Sequence, residues 1–263
     1  MSSAFTRHNA HLLGSSGKVM MLAHGFGCDQ NMWRFVASAF SDEYRLLLFD
    51  HIGAGNSDIS AYDPKRHASP EGYAEDVVAL AREAGVQDGI FVGHSVSAMI
   101  GILDARQAPE LFEALVLVCP SPRYIDDGDY IGGFGPEQIE ELLEFLDGNH
   151  LGWSRAMAPA IMGNADRPEL AEELTESFCR GDPEIIKRWA RATFLSDNRK
   201  DLAPLDARVL ILQCREDVIA SICVGEYVHA ALRGSELVIM DATGHCPNLS
   251  APEETIAAMK AFL

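Results

Sequence analysis

The chain has 263 residues, 48% of them apolar and 23% charged, which suits one large globular domain or two small ones. Its 21 basic and 39 acidic residues leave a formal charge of −18, a field that repels phosphate backbones and anionic lipid headgroups, so nucleic acid is not an expected partner. Six widely spaced cysteines without a C-x-x-C pair read as free thiols of a reducing compartment. Residues 1–10 lack the apolar run of a signal peptide and no later run reaches the length of a membrane span, so the expectation is a cytoplasmic protein with no membrane association.

Two kinds of segment alternate along the chain. Short apolar runs at 19–23, 46–49, 90–92, 115–118, 209–212 and 237–240 have the length of strands and no polar alternation, as expected of a parallel sheet covered on both faces. Helical stretches separate them. The clearest is 70–84, where Ser69 is placed to cap, Pro70 starts the first turn, and Tyr73, Val77, Leu80, Ala81 and Ala84 share a face. The alternation predicts an α/β fold with a doubly wound, mostly parallel sheet and a ligand site beyond the carboxyl ends of the strands.

Between 121 and 205 the strand-like runs stop. Ile139, Leu142, Leu143 and Leu146 form one apolar stripe among glutamates, Leu170, Leu174 and Phe178 form another, and a third helix starts at Asp182-Pro183 and carries Ile185, Ile186, Trp189, Ala190 and Phe194. The reading is a helical lid inserted over 121–205 into a core made of 1–120 and 206–263.

Gly93-His94-Ser95-Val96-Ser97 lies between an apolar strand and a run of good helix formers. A strand, a sharp turn and a helix are what a nucleophile elbow needs, because the tight turn exposes the serine Oγ above the sheet at a helix start. Ser95 is the candidate nucleophile. Ser97 stands where the G-x-S-x-G pattern has its second glycine, but is still small. A serine hydroxyl needs a base held by a carboxylate. Asp217 follows one predicted strand and His245 another, giving the chain order serine, acid, histidine expected of this architecture. Glu216 and Asp241 are the other acids near those strand ends.

His24-Gly25-Phe26-Gly27 follows the first clear strand, and the backbone amides of Phe26 and Val96 are the candidate oxyanion donors. His51, next to Gly53-Ala54-Gly55-Asn56-Ser57, reads as part of a structural turn, and Cys28 as a small packing residue. His8, His11, His67, His150 and His229 have no metal-ligand spacing, and neither a P-loop nor a dinucleotide fingerprint is present, so no metal or cofactor is implied.

These motifs resemble the RsbQ-like branch of the α/β-hydrolase superfamily, which holds a bacterial stress-response regulator and the plant karrikin and strigolactone receptors. The resemblance rests on His24-Gly25-Phe26-Gly27 with Asp29-Gln30 and Trp33, on Leu48-Phe49-Asp50 and on the run from Gly93 to Gly101. It extends through Ser121-Pro122-Arg123-Tyr124, Gly132-Gly133-Phe134, Ser196-Asp197 and Gly244-His245. It implies an α/β-hydrolase fold, a Ser95-His245-Asp217 triad, oxyanion amides at Phe26 and Val96, and a V-shaped lid of four helices. It also implies an apolar pocket lined by Phe134 and Phe194, with Trp153, Met157 and Phe178 near further pocket positions and Phe26 in its wall. Val218-Ile219-Ala220-Ser221 departs from the branch's pattern after the acid, and Ile219 is placed to narrow the pocket.

The expected activity is that of a serine hydrolase cleaving a small, largely apolar ester or lactone through an acyl-serine intermediate. Two alternatives share these residues: a signalling module that binds a small hydrophobic ligand and a protein partner at the lid, and a cofactor-free perhydrolase or carbon–carbon bond hydrolase.

Overall fold

In a computed structural model covering residues 2–263, each of the six apolar runs becomes a strand. An additional short strand, β1 (His11–Leu13), precedes β2 (Val19–Ala23), β3 (Arg45–Leu48), β4 (Gly89–His94), β5 (Phe112–Val118), β6 (Arg208–Glu216) and β7 (Glu236–Thr243). They form one seven-stranded sheet in the order β1-β3-β2-β4-β5-β6-β7, parallel except where β1 pairs antiparallel with β3. The sequence pattern does not mark β1. All three of its residues are exposed, and an edge strand of that length buries no run for a pattern to detect.

Successive residues of a strand point to opposite faces, and here both faces are buried. Met20, Leu22, Val92, Val116 and Leu212 enter one core, while Met21, Phe91, Leu115, Leu117 and Ile211 enter the other. That is why the runs lack polar alternation. Before β5, the α-helices are α1 (Ala4–Arg7), α2 (Arg34–Ala37), α3 (Pro70–Glu83) and α4 (Val96–Gln107). On α3, Tyr73, Val77, Leu80 and Ala81 are buried as predicted, but the Ser69 side chain makes no capping hydrogen bond; the fixed φ of Pro70 sets the helix entry instead.

Four helices, α5 (Pro136–Gly148), α6 (His150–Met162), α7 (Pro168–Arg180) and α8 (Pro183–Phe194), lie between β5 and β6. Leu170, Leu174 and Phe178 are the buried residues of α7, and Asp182 caps α8 by accepting from the Glu184 and Ile185 amides. The apolar pattern singles out α5, α7 and α8 but not α6, which has no acidic face to set off its buried Trp153, Ala158, Ile161 and Met162 and carries Pro159 inside. The C-terminal end of α6 is fastened to the core. The His245 amide donates to the Ile161 carbonyl at 2.8 Å, and Asn164 Nδ2 donates to the carbonyls of Met162 and Thr243, each at 2.8 Å. After β6, α9 (Ile222–Ala231), α10 (Pro247–Ser250) and α11 (Pro252–Phe262) complete the fold. Among the described residues, no helix is long and apolar enough to cross a membrane.

Candidate active site

The turn from β4 into α4 explains the exposure of Ser95 towards the site. Ser95 has φ 58° and ψ −123°, a conformation that L residues rarely adopt, and its amide is held by the Val118 carbonyl at 2.8 Å. The turn is this sharp only because Gly93 lacks a side chain: a Cβ there would lie 2.3 Å from the Ser97 carbonyl oxygen. Strain at Ser95 is thus held by packing on both sides of the elbow.

Three distant segments meet at that hydroxyl. His245 Nε2 lies 2.7 Å from Ser95 Oγ, and His245 Nδ1 lies 2.7 Å from Asp217 Oδ2. The second carboxylate oxygen, Asp217 Oδ1, accepts from the amides of Ile219 at 2.8 Å and Ala220 at 3.1 Å. Burial by itself would raise the Asp217 carboxyl, but the charge and hydrogen bond of His245 and the two amides outweigh it and hold the group below its ordinary value. An ionised acid therefore faces Nδ1, keeping the proton there and leaving Nε2 free to accept from Ser95. Glu216 and Asp241 take no part: Glu216 accepts from Thr243 Oγ1, and Asp241 pairs with Arg215 at the surface. His94 donates from Nε2 to the His245 carbonyl at 2.7 Å; burial drives its basicity down to about 3, so it stays neutral.

Hydrogen bonds set the direction of the Phe26 amide. The Gly25 carbonyl accepts from His24 Nδ1 at 2.9 Å and from the Cys28 amide at 3.2 Å. The His51 amide donates to His24 Nε2 at 3.0 Å, which leaves the ring proton on Nδ1. A trans peptide points its N–H opposite to its C=O, so clamping the Gly25 carbonyl turns the Phe26 N–H the other way. The Phe26 amide has no intramolecular partner among the described residues, and the Val96 amide, in the first turn of α4, has none within the helix. Gly25 permits the loop's approach, since a Cβ there would lie 3.2 Å from Ser95 Cβ and 2.5 Å from the His94 ring.

Ser97 and His51 contribute more than size and turn geometry. Ser97 Oγ donates to the His24 carbonyl at 2.5 Å and accepts from His51 Nε2 at 2.8 Å, all three residues being fully buried. The serine in place of the second glycine therefore ties the elbow helix to the loop that follows β2. Burial and the neighbouring His24 push the basicity of His51 well below the ordinary histidine range.

A small cavity of about 30 Å³ opens beside Ser95 and His245, room for about one water molecule. Of the residues that the sequence reading places at the pocket, Phe26, Phe178, Phe194 and Ile219 border this cavity, whereas Phe134, Trp153 and Met157 do not. Phe134 is half-buried and held in a backbone bridge with Ile125. Trp153 is fully buried behind the wall, its ring 5.1 Å from Phe178 and 6.2 Å from Phe26. Met157 packs half-buried against the same core. Cys28, His94, Tyr124, Ile161, Leu174, Thr193 and Cys246 also line it, although the sequence pattern does not place them there. Leu174 shares the apolar stripe of Phe178, Tyr124 ends the Ser121-Pro122-Arg123-Tyr124 run, and Thr193 precedes Phe194. A larger groove of about 740 Å³ between α6 and α7, bordered by Arg155, Pro159, Ala171 and Glu172, shares no residue with the cavity.

The alpha/beta hydrolase family pattern matches residues 20–258. Karrikin insensitive 2 receptor CA of Petunia hybrida is 37% identical over 253 residues, 96% of this chain and 94% of that protein. A strigolactone esterase of Arabidopsis thaliana is 34% identical over 247 residues, 94% of this chain and 92% of its own length. Among solved structures, a hydrolase from Oleispira antarctica matches with a TM-score of 0.96 at 36% identity, covering 98% of this chain and 95% of that one. A sheet of this order, an elbow at Ser95 and likeness along nearly the whole chain lead to one assignment: the protein belongs to the alpha/beta hydrolase family, in the RsbQ-like branch.

Proposed function

We propose that the protein is a serine hydrolase that cleaves a small, largely apolar ester or lactone through an acyl-Ser95 intermediate. The observation that carries this reading is the pair of 2.7 Å contacts joining Ser95, His245 and Asp217 beside an apolar cavity. Ser95 Oγ attacks the substrate carbonyl as its proton passes to His245 Nε2, and Asp217 stabilises the imidazolium that forms. The Phe26 and Val96 amides hold the negative oxygen of the tetrahedral intermediate; one such donor is worth about 3 to 4 kcal/mol of transition-state stabilisation. The intermediate collapses as His245 returns the proton to the leaving alkoxide, which in a lactone stays tethered to the acyl group. A water then gives its proton to His245 and attacks the acyl carbon, releasing the acid and restoring Ser95. Access requires the wall to move, because a cavity of about 30 Å³ admits no ester.

A fluorophosphonate probe should add its phosphonyl mass to Ser95, and Ser95→Ala should abolish both labelling and aryl-ester turnover. Folded protein that stays unlabelled at Ser95 would overturn the reading. The naming of relatives as karrikin receptors supports a second role, in which ligand binding or turnover changes the lid surface for a protein partner. Pull-down with and without ligand, using the wild-type chain and Ser95→Ala, tests it; a sensor shows ligand-dependent capture, a plain hydrolase none.

A further inference from the structure

Two hydroxyls in the cavity wall have no use in the acyl-transfer steps. Tyr124 and Thr193 are each 1% exposed, both line the cavity, and neither Tyr124 Oη nor Thr193 Oγ1 has a hydrogen-bond partner. A threonine inside a helix ordinarily turns its hydroxyl onto the carbonyl three or four residues back, yet Thr193, one residue from the end of α8, does not. The Tyr124 hydroxyl lies near that of Ser95 without meeting hydrogen-bond geometry with it, and its ring is fixed against Phe194 at 5.2 Å. Most of the remaining wall is greasy, formed by Phe26, Ile161, Leu174, Phe178 and Ile219.

Buried polar groups are almost always paired, and leaving one unpaired costs more than the same site made apolar. A wall built only to hold a hydrocarbon acyl chain would carry phenylalanine and valine at these two positions with no loss of shape. We propose that Tyr124 and Thr193 form a second polar subsite, selecting esters or lactones that carry a further oxygen, as ether, ketone or hydroxyl, close to the scissile carbonyl. This rests on the hydrolase reading for the identity of the reaction but not for the binding preference. The two residues act as specificity determinants, each hydroxyl able to donate to an ether or ketone oxygen and to accept from a hydroxyl.

The test uses two esters of equal length, para-nitrophenyl butyrate and para-nitrophenyl methoxyacetate, which differ by one methylene exchanged for an ether oxygen. Binding is read on full-length Ser95→Ala by quenching of tryptophan fluorescence, and the preference is the ratio of the two Kd values. Adding Thr193→Val or Tyr124→Phe, each of which keeps the shape and removes the hydroxyl, should lower the preference for the ether ester about tenfold, whereas Thr193→Ser should retain it. With Ser95 present, the ratio of the two kcat/KM values should fall by the same factor, the esters' intrinsic reactivities cancelling between variants. An unchanged ratio in both Thr193→Val and Tyr124→Phe, or equal weakening of both esters, overturns the subsite. If the intact chain hydrolyses neither ester while Ser95→Ala still shows the hydroxyl-dependent preference, the hydrolase reading fails and the subsite stands. Turnover of both esters at a ratio insensitive to the two hydroxyls removes the subsite and leaves the hydrolase reading intact.

Discussion

Asp217 and Asp104 are both acids with buried side chains, and their surroundings give them opposite behaviour. Asp217 is bonded on both oxygens and held ionised, which fixes the proton of His245 on Nδ1. Asp217→Asn keeps the shape but presents an amide that can donate to Nδ1 and stabilise the wrong tautomer. The expected result is a fall in kcat of about 10⁴-fold with little change in KM, measured with an aryl ester; a loss below tenfold would remove Asp217 from the role of orienting group. Asp104, in α4, is fully buried with neither oxygen partnered, and burial raises its carboxyl well above the ordinary range. An acid raised in the fold keeps its proton where the unfolded chain has lost it. Its burden on stability is therefore absent below about pH 4 and grows as pH rises towards the folded value, by at most about 1.4 kcal/mol per pH unit. Asp104→Asn should raise the melting temperature at pH 7 to 8 and leave it nearly unchanged near pH 3.5, and a gain independent of pH would contradict this.

At the scale of elements, the contact between α6 and the loop after β7 matters most, because it joins the four helices between β5 and β6 to the candidate base. Gly244 has φ 88°, and a Cβ there would lie 1.9 Å from the Met162 carbonyl oxygen. Next to it, the His245 amide is held by Ile161. Gly244→Ala must push α6 off the core and shift His245 with it. The expected cost is at least about 1 to 3 kcal/mol of stability in urea unfolding, together with a drop in kcat of about 10²-fold from misplacement of the imidazole. Stability lost with kcat unchanged would show that the α6 anchor does not govern His245. On the far side of the cavity, the Phe26 ring lies 5.8 Å from both Phe178 and Phe194 and 5.6 Å from Trp189, so α7 and α8 rest on the loop after β2 through aromatic contacts.

For the whole molecule, charge sets the balance. Acids outnumber bases by 39 to 21, and surface pairs such as Arg34 with Glu173, at 2.7 Å and about one-third exposed on each side, offset little of that repulsion. Raising ionic strength from about 0.01 to 0.15 M shortens the screening length from about 30 to 8 Å. The melting temperature should rise over that range in a thermal scan, since net repulsion is screened more than the few pairs are weakened; a fall would mean that the ion pairs dominate. The same field disfavours anionic substrates, in keeping with a neutral ester or lactone.

The sequence by itself determined whatever depends on neighbours along the chain. Runs buried on both faces wrote the parallel strands, glycine and serine around Ser95 wrote the elbow, and the strand ends placed Asp217 and His245, because backbone period and turn chemistry are local. It did not mark β1, which buries nothing, or α6, which lacks a polar face to give it a period. Only the tertiary structure decided which side chains face the cavity. Trp153 was expected there and lies behind Phe26, while Tyr124 and Thr193 were passed over and line it. The rotation of each helix about its axis follows from packing against partners far away in sequence, and that rotation turns a residue inward or aside. The tie from Ser97 to His24 and His51 has the same origin: its three residues are separated by 73 and 46 positions, a proximity no local pattern encodes.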